Sequence, residues 1–218
     1  METIIIGGVL VAVVIAIAIR IRQYRLEVEQ EQQEVMEAVV RLSQEYSEGY
    51  SLTDVDEILK NAAVKCLNRE CPHGLAERLS QYTTHDERKD SVEKLVYQLA
   101  DSMGVELEGV DISDDMPDNV LGLYHEQGYL CINAVVMEAD PERVLMTITH
   151  ELRHGVQYQA CLKNRDIWGF STQTKAIWYY NITHYIDEPF EIYENQPVEY
   201  DANYFANEVI QSYNSRRR

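Results

Sequence analysis

Two histidines and a glutamate in the segment THELRHGVQYQ, residues 149–159, have the types and spacing of a metal-binding site. On an α-helix, residues four apart lie one turn above another, so His150 and His154 project from the same face. That spacing lets both imidazoles reach one tetrahedral ion at about 2.0 to 2.1 Å. Glu151, about 100° round the helix, can take a proton from a water held by the ion. The motif predicts metal-assisted hydrolysis with Glu151 as general base.

A helix must carry this motif, and the flanking sequence predicts one. Asp140 is a favourable cap and Pro141 suits a first helical turn. An apolar stripe lies roughly opposite the histidines and is expected to pack on the rest of the fold. The stripe comprises Leu145, Ile148, Leu152 and Val156.

A third ligand is expected from QPVEYDANYFA, residues 196–206, a second predicted helix. A catalytic zinc usually takes three protein groups and leaves one position for water. Glu199 is favoured as the third ligand, and Asn203, one turn later, is the candidate to orient a ligand by a hydrogen bond. Asp201 is the competing ligand, although it points about 200° away from Glu199. The alternative is a solvated acidic helix face.

HELRH followed by EYDANYFA at residues 199–206 resembles the zinc metallopeptidases of the zincin class whose third ligand is a glutamate, the gluzincin type. The chain looks most similar to ImmA/IrrE-like metallopeptidases, over residues 105–213. The resemblance implies a zincin-like domain in which His150, His154 and Glu199 hold one Zn²⁺ per chain. It also implies that Glu151 is the general base for hydrolysis of peptide bonds. Arg153 departs from the group's HELGHA motif.

Further candidates follow from the proposed chemistry. A tetrahedral intermediate needs a hydrogen-bond donor besides the metal, and the candidates in an aromatic segment are His184, Tyr185 and Tyr193. Each of the three is alternatively a packing residue. The predicted strand GYLCIN could bind a protein or peptide substrate by adding it as a further strand. The substrate-strand candidates are Tyr129, Cys131 and Asn133.

The order of predicted elements is helices, then a small mixed sheet, then two helices, which indicates an α+β fold. Residues 51–104 form a predicted helical subdomain, and residues 105–218 form the zincin-like metallopeptidase domain. Within the latter, alternation predicts a strand at residues 105–113 and two strands around a turn at residues 126–128. Residues 164–195 are expected to be rich in loops.

The N-terminal segment predicts a membrane anchor. Residues 4–19 are all apolar or glycine, and residues 3–21 are long enough to span a bilayer. Three arginines at positions 20, 22 and 25 follow, so the positive-inside tendency places the N-terminus outside and the catalytic domain in the cytoplasm. The predicted domains are thus a transmembrane anchor at residues 1–22 and a helical stalk at residues 23–50. A cleaved secretory signal is the alternative.

Composition restricts the partners. The chain has 37 Asp and Glu against 19 Lys and Arg, a formal net charge of −18, which disfavours binding to nucleic acid. The four cysteines are compatible with reduced thiols and equally with two disulfides. A zinc site formed by Cys66, Cys71 and His73 is conceivable, but the sequence favours the interpretation of this segment as a helix end followed by a Pro-Gly turn. The alternatives to an enzyme are a catalytically silent zincin-like protein-binding module and a membrane-complex scaffold. The sequence indicates no oligomeric state.

Overall fold

The computed structural model describes residues 2–117, 119–163 and 165–215, without the side chains of residues 2–19, 138 and 139. Helices account for 69% of the chain, and the sheet has only three short strands, so the predicted α+β class is wrong and the protein is mostly helical. The helices are α1 (Glu2–Gly49), α2 (Asp54–Glu70), α3 (Leu75–Ser80), α4 (His85–Met103), α5 (Ala134–Ala139), α6 (Pro141–Cys161), α7 (Thr172–Thr183), α8 (Phe190–Tyr193) and α9 (Pro197–Ser215). The strands are β1 (Gly109–Ser113), β2 (Gly122–Tyr124) and β3 (Tyr129–Asn133).

α1 is one uninterrupted helix, and it corrects the membrane prediction. The apolar span at residues 4–19 lies outside the described side chains, and from Arg20 onward the helix is rich in charged and amide residues. Within the described residues, none of the helices combines the length and apolarity needed to cross a bilayer. The predicted N-terminal transmembrane helix and the single-pass localisation with a cytoplasmic catalytic domain are therefore not supported, whereas the domain boundary at residues 1–22 and the membrane contact through residues 3–21 stay predictions.

Local sequence signals set the ends of the helices before the sheet. Thr53 caps α2 in a reciprocal arrangement with Asp56, in which each side chain accepts a hydrogen bond from the backbone N–H of the other residue. Thr84 and Glu87 repeat this arrangement at the start of α4. Gly104 ends α4 at a φ of 75°, a backbone conformation that glycine adopts without strain.

The three-stranded sheet has the order β1-β3-β2, with β3 in the centre. β1 runs parallel to β3, and β2 runs antiparallel to β3 through the turn at residues 125–128. Gly128 has a φ of 96° in that turn, which favours glycine. The strand pair around residues 126–128 is as predicted, whereas the first strand begins at Gly109, later than the predicted residue 105.

The segment at residues 164–195 corrects a second expectation, because it contains α7 and α8 where loops were predicted. Ser171 caps α7, and its Oγ accepts a hydrogen bond from the backbone N–H of Thr174. Trp178 anchors α7 to the core and is fully buried.

α6 and α9 pack against each other and form the centre of the molecule. The predicted apolar stripe of α6 is buried in a core that also takes side chains from α2, α4, β3 and α9. Asp140 caps α6 as predicted, with its carboxylate accepting hydrogen bonds from two backbone N–H groups. This pairing of α6 with α9 brings the two motif-bearing segments of the chain together.

Candidate metal centre

The packing of α6 on α9 brings the three predicted ligands to one point. The Nε2 atoms of His150 and His154 lie 3.0 Å apart. Glu199 completes the triangle, with Oε2 3.4 Å from Nε2 of His150 and Oε1 3.2 Å from Nε2 of His154. The three residues form a group that could hold a metal ion. The histidines come from successive turns of α6, and the glutamate comes from the first turn of α9.

The geometry of this triangle fits a small divalent cation. Ligands about 2.0 to 2.1 Å from a tetrahedral ion lie about 3.3 to 3.4 Å from one another. The imidazole nitrogens and the carboxylate lie at comparable separations, although Oε2 of Glu199 is the oxygen near His150 and Oε1 the oxygen near His154. Oε2 of Glu199 is buried and makes no hydrogen bond, since its contact with His150 is an ion-pair contact without hydrogen-bond geometry. A buried carboxylate oxygen without a hydrogen bond is costly, and a bound cation would satisfy it. Two imidazoles and one carboxylate are also a common ligand set for catalytic zinc.

The charges of the triangle favour a cation as well. Burial would raise the pKa of Glu199, but the imidazoles of His154 and His150 outweigh burial and hold that pKa well below its usual range. Burial would lower the pKa of His154, but Glu199 beside it outweighs burial and raises the pKa to about 9. Without a metal, the proton therefore resides on His154 and the negative charge on Glu199. A metal ion would replace that proton.

Glu151 lies beside the triangle, against the edge strand β2. Its side chain is buried and lies against Gly122 of β2. Burial raises the pKa of Glu151, and the imidazoles of His150 and His154 only partly oppose this rise. Gly122 makes room for the carboxylate, because an added Cβ would lie 2.8 Å from Cγ and 3.0 Å from Oε1 of Glu151.

Gln157, which is not among the predicted site residues, is hydrogen-bonded to the candidate metal ligand His154. Its Oε1 lies 2.8 Å from Nδ1 of His154, and its Nε2 donates to the carbonyl oxygen of Val198 and to Oδ2 of Asp201. The signal for this contact was present, because Gln157 follows His154 by three residues and so shares its helix face.

Asp201 is a partner of Arg153, and it does not belong to the metal triangle. Nε of Arg153 donates to Oδ2 of Asp201 at 2.7 Å and Nη2 to Oδ1 at 2.9 Å. Nη2 also lies 2.6 Å from Oδ1 of Asp56 on α2. The guanidinium is fully buried among the rings of three aromatic residues, Phe170, Trp178 and Phe205. The departure from HELGHA at position 153 thus provides a buried ion pair that joins α6 to α9.

Two of the three predicted hydrogen-bond donors lie near the triangle. The hydroxyl of Tyr185 donates to Oε1 of Glu199 at 2.5 Å, and the ring of Tyr193 lies 6.0 Å from that of Tyr185. Burial, reinforced by the charge of Glu199, raises the pKa of both tyrosines, so both stay protonated. His184 instead stacks on Tyr180 and bonds to its carbonyl oxygen, at the end of α7.

Asn203 does not have the role predicted for it. Its side chain is half-buried one turn beyond Glu199, and among the described contacts it makes no hydrogen bond to any of the three ligands. Hydrogen bonds to the ligand side chains come from Gln157 and Tyr185.

The prediction that β3 receives a substrate strand is wrong. β3 pairs with β1 over all five of its residues on one side, and on the other side it bonds to β2 and to the flanking residues Leu121 and His125. Because both of its edges are occupied, the backbone at Tyr129, Cys131 and Asn133 cannot pair with another chain. The side chain of Asn133 caps α5 and bonds to the carbonyl oxygens of Pro117 and Val120.

The four cysteines are free thiols. Cys71 caps the end of α2, and the turn that contains Gly74 follows it. This is the helix end with a Pro-Gly turn that the sequence favours over a zinc site. In the described part of the chain, the only group of potential ligands that meets the distance requirement is His150, His154 and Glu199, so Cys66, Cys71 and His73 do not form a second one.

Comparisons of the chain with models of protein families, with curated proteins and with solved structures found no match. The similarity to ImmA/IrrE-like metallopeptidases rests on the sequence motifs, and the candidate metal centre rests on its own geometry.

Proposed function

We propose that the protein is a zinc metallopeptidase that hydrolyses peptide bonds. The observation that carries this proposal is the triangle of His150, His154 and Glu199 with Glu151 held beside it. The triangle has the separations of tetrahedral ligands, and one of its carboxylate oxygens lacks a hydrogen-bond partner. Two histidines and a glutamate leave a coordination position for water, as catalytic zinc requires.

Glu151 is the proposed general base. A bound zinc ion supplies an acidified water and polarises a carbonyl oxygen. Burial raises the pKa of Glu151, which makes its carboxylate a stronger base that can take a proton from the water and later return it to the departing amine.

Tyr185 is the proposed donor to the oxygen that gains charge during the reaction. Its hydroxyl stays protonated and already lies at the metal triangle, where it donates to Glu199. For this role the single hydroxyl hydrogen would turn from Glu199 to the developing oxyanion, and a donor to that oxygen contributes about a hundredfold or more to the rate. Tyr193, adjacent to Tyr185, would support its position.

The substrate is proposed to bind along β2 as an extended peptide. In this antiparallel pair the hydrogen-bonded positions alternate along the strand: Leu121 bonds to Asn133, Leu123 pairs with Cys131, and His125 bonds to Tyr129. The backbone groups of the residues between them, Gly122 and Tyr124, therefore face away from β3. We propose that the peptide groups of Gly122 pair with the substrate backbone. This edge would place a peptide next to the proposed base.

Metal analysis and a glutamine substitution test this proposal. The full-length chain should bind about one zinc per molecule, and Glu151→Gln should keep the zinc but lose hydrolysis of unfolded protein substrates. Glu126→Gln, at an exposed position in the turn after β2, is the control and should keep both. Hydrolysis by Glu151→Gln at the wild-type rate would refute the proposal. Zinc binding by an inactive wild-type protein would instead support a zincin-like binding module.

A further inference from the structure

The amide of Gln157 can have only one orientation. Its two nitrogen contacts, the carbonyl oxygen of Val198 at 3.0 Å and Oδ2 of Asp201 at 2.6 Å, are groups that only accept hydrogen bonds when the carboxylate is ionised. Nε2 must therefore face them, and Oε1 must face His154. Because Oε1 only accepts, Nδ1 of His154 must carry a hydrogen atom.

This contact decides which nitrogen of His154 is available to a metal. With the hydrogen on Nδ1, the unprotonated nitrogen of the neutral ring is Nε2, the atom that faces His150 and Glu199. A reversed amide would present Nε2–H₂ of Gln157 to Nδ1 and would stabilise the opposite tautomer, in which Nε2 carries the hydrogen.

Asp201 holds the amide of Gln157 in place. Its Oδ2 accepts from Gln157 and from Arg153, and its Oδ1 accepts from Arg153 and from the hydroxyl of Tyr50 at 2.5 Å. All four hydrogen bonds are charge-assisted, and the carboxylate is buried. Asp201 therefore has little freedom to rotate, and neither does the amide it accepts from.

Tyr50 connects this group to α1. It follows the last residue of α1, and its ring packs on Tyr46 of α1 and on Tyr200 and Tyr204 of α9, with centroid separations of 5.1, 5.5 and 5.0 Å. These ring contacts do not involve the hydroxyl, so loss of the hydroxyl alone leaves the packing in place.

We propose that Gln157, Asp201 and Tyr50 are positioning residues for the metal ligand His154. Asp201 orients the amide of Gln157, that amide presents Nε2 of His154 to the metal, and the Tyr50 hydroxyl restrains Asp201 from the end of α1. This inference rests on the proposed metal centre and adds a determinant of its affinity outside the three ligands.

Zinc affinity of the full-length chain, measured by competition with a chromophoric chelator, tests the proposal. Gln157→Leu should weaken zinc binding by about 10 to 100-fold, the usual effect of removing a group that orients a ligand. Gln159→Leu is the matched control, since Gln159 is equally buried on α6 but bonds to Glu106 and Tyr124. That control should lower the stability of the fold and leave zinc affinity within about twofold of wild type.

The pair Tyr50→Phe and Tyr204→Phe keeps the test decisive if Gln157→Leu does not fold. Tyr50→Phe should weaken zinc binding by about 2 to 10-fold, the range of one net hydrogen bond. Tyr204→Phe changes a neighbouring ring that is 37% exposed and should have no effect. Stability of the metal-free variants, measured by urea unfolding with chelator, separates positioning from a purely structural role, which would lower stability alone.

The outcomes distinguish the inference from the proposed function. Absence of zinc binding by the wild-type protein would refute the metal centre itself. The inference would be overturned, and the metal centre left in place, if the wild-type protein binds zinc and folded Gln157→Leu binds it with the same affinity. If Gln157→Leu does not fold, unchanged affinity in Tyr50→Phe has the same meaning.

Discussion

Substitution of Gly122 by alanine should separate metal binding from hydrolysis. An added Cβ would lie 2.7 Å from Cγ2 of Thr147, 2.8 Å from Cγ of Glu151 and 3.0 Å from Oε1 of Glu151. All three distances are too short for van der Waals contact, and the contacted atoms belong to side chains that can move. Glu151 would therefore be displaced, while the three metal ligands, which the new methyl group does not approach, would stay in place.

The magnitudes follow from these contacts. Overpacking of this kind costs about 1 to 3 kcal/mol of the free energy of unfolding. In a chain of this size, each kcal/mol lowers Tm by about 2 to 4 °C. A displacement of the base by about 1 Å lowers kcat/KM by about a hundredfold, whereas zinc affinity should stay within a few-fold of wild type.

Peptide hydrolysis, zinc affinity and thermal unfolding of Gly122→Ala and wild type measure these effects. Gly49→Ala is the control, because a Cβ at the end of α1 would meet no atom within 4 Å. Wild-type kcat/KM in Gly122→Ala would show that the carboxylate beside β2 is not the base, and loss of zinc would show that Gly122 supports the ligands as well.

Three further predictions concern charge and hydrogen bonding. The pKa of His154 is about 9 in the metal-free fold and about 6.5 in the unfolded chain. Protonation of His154 therefore stabilises the metal-free fold fully below about pH 6.5, and this stabilisation is lost as the pH rises through about 9. Since zinc must displace this proton, chelator competition should show affinity rising about tenfold per pH unit between pH 6 and 8; a flat profile would contradict the assignment. Arg153→Met leaves two buried carboxylates without a cation and should cost about 3 to 5 kcal/mol in urea unfolding. Arg69→Met, at a side chain 64% exposed, should leave the urea unfolding midpoint close to that of wild type, and equal effects of the two substitutions would refute the importance of burial. Tyr185→Phe should lower kcat by about a hundredfold with KM little changed, and an effect on KM alone would assign Tyr185 to substrate binding.

The ligand triangle could be predicted because it depends on local rules. The four-residue spacing of His150 and His154 fixes their common face, and the opposite directions of Glu199 and Asp201 on a helix separate a ligand from its competitor. The structure brings His150, His154 and Glu199 together and pairs Asp201 with Arg153. Gln157 obeys the same helical rule, because it follows His154 by three residues and so lies on the same face.

The errors concern relations that local patterns do not encode. The sequence predicts the strand pair around residues 126–128, but it does not indicate that β1 takes the other edge of β3, so the substrate strand was misplaced. The sequence predicts a loop where α7 lies, because the apolar residues of this segment are not confined to one helix face and show no helical period. The position of Tyr50 beside Asp201 joins residues distant in the chain and could not be inferred from either segment.

The ion pair between Arg153 and Asp201 has a consequence for the state of the protein when chelators are present. Small zinc domains unfold on demetallation because the ion itself is their main cross-link. Here a separate, buried ion pair already joins the same two helices, through the residue directly before His154. Removal of zinc from the proposed site should therefore leave a folded protein that takes up the ion again without refolding.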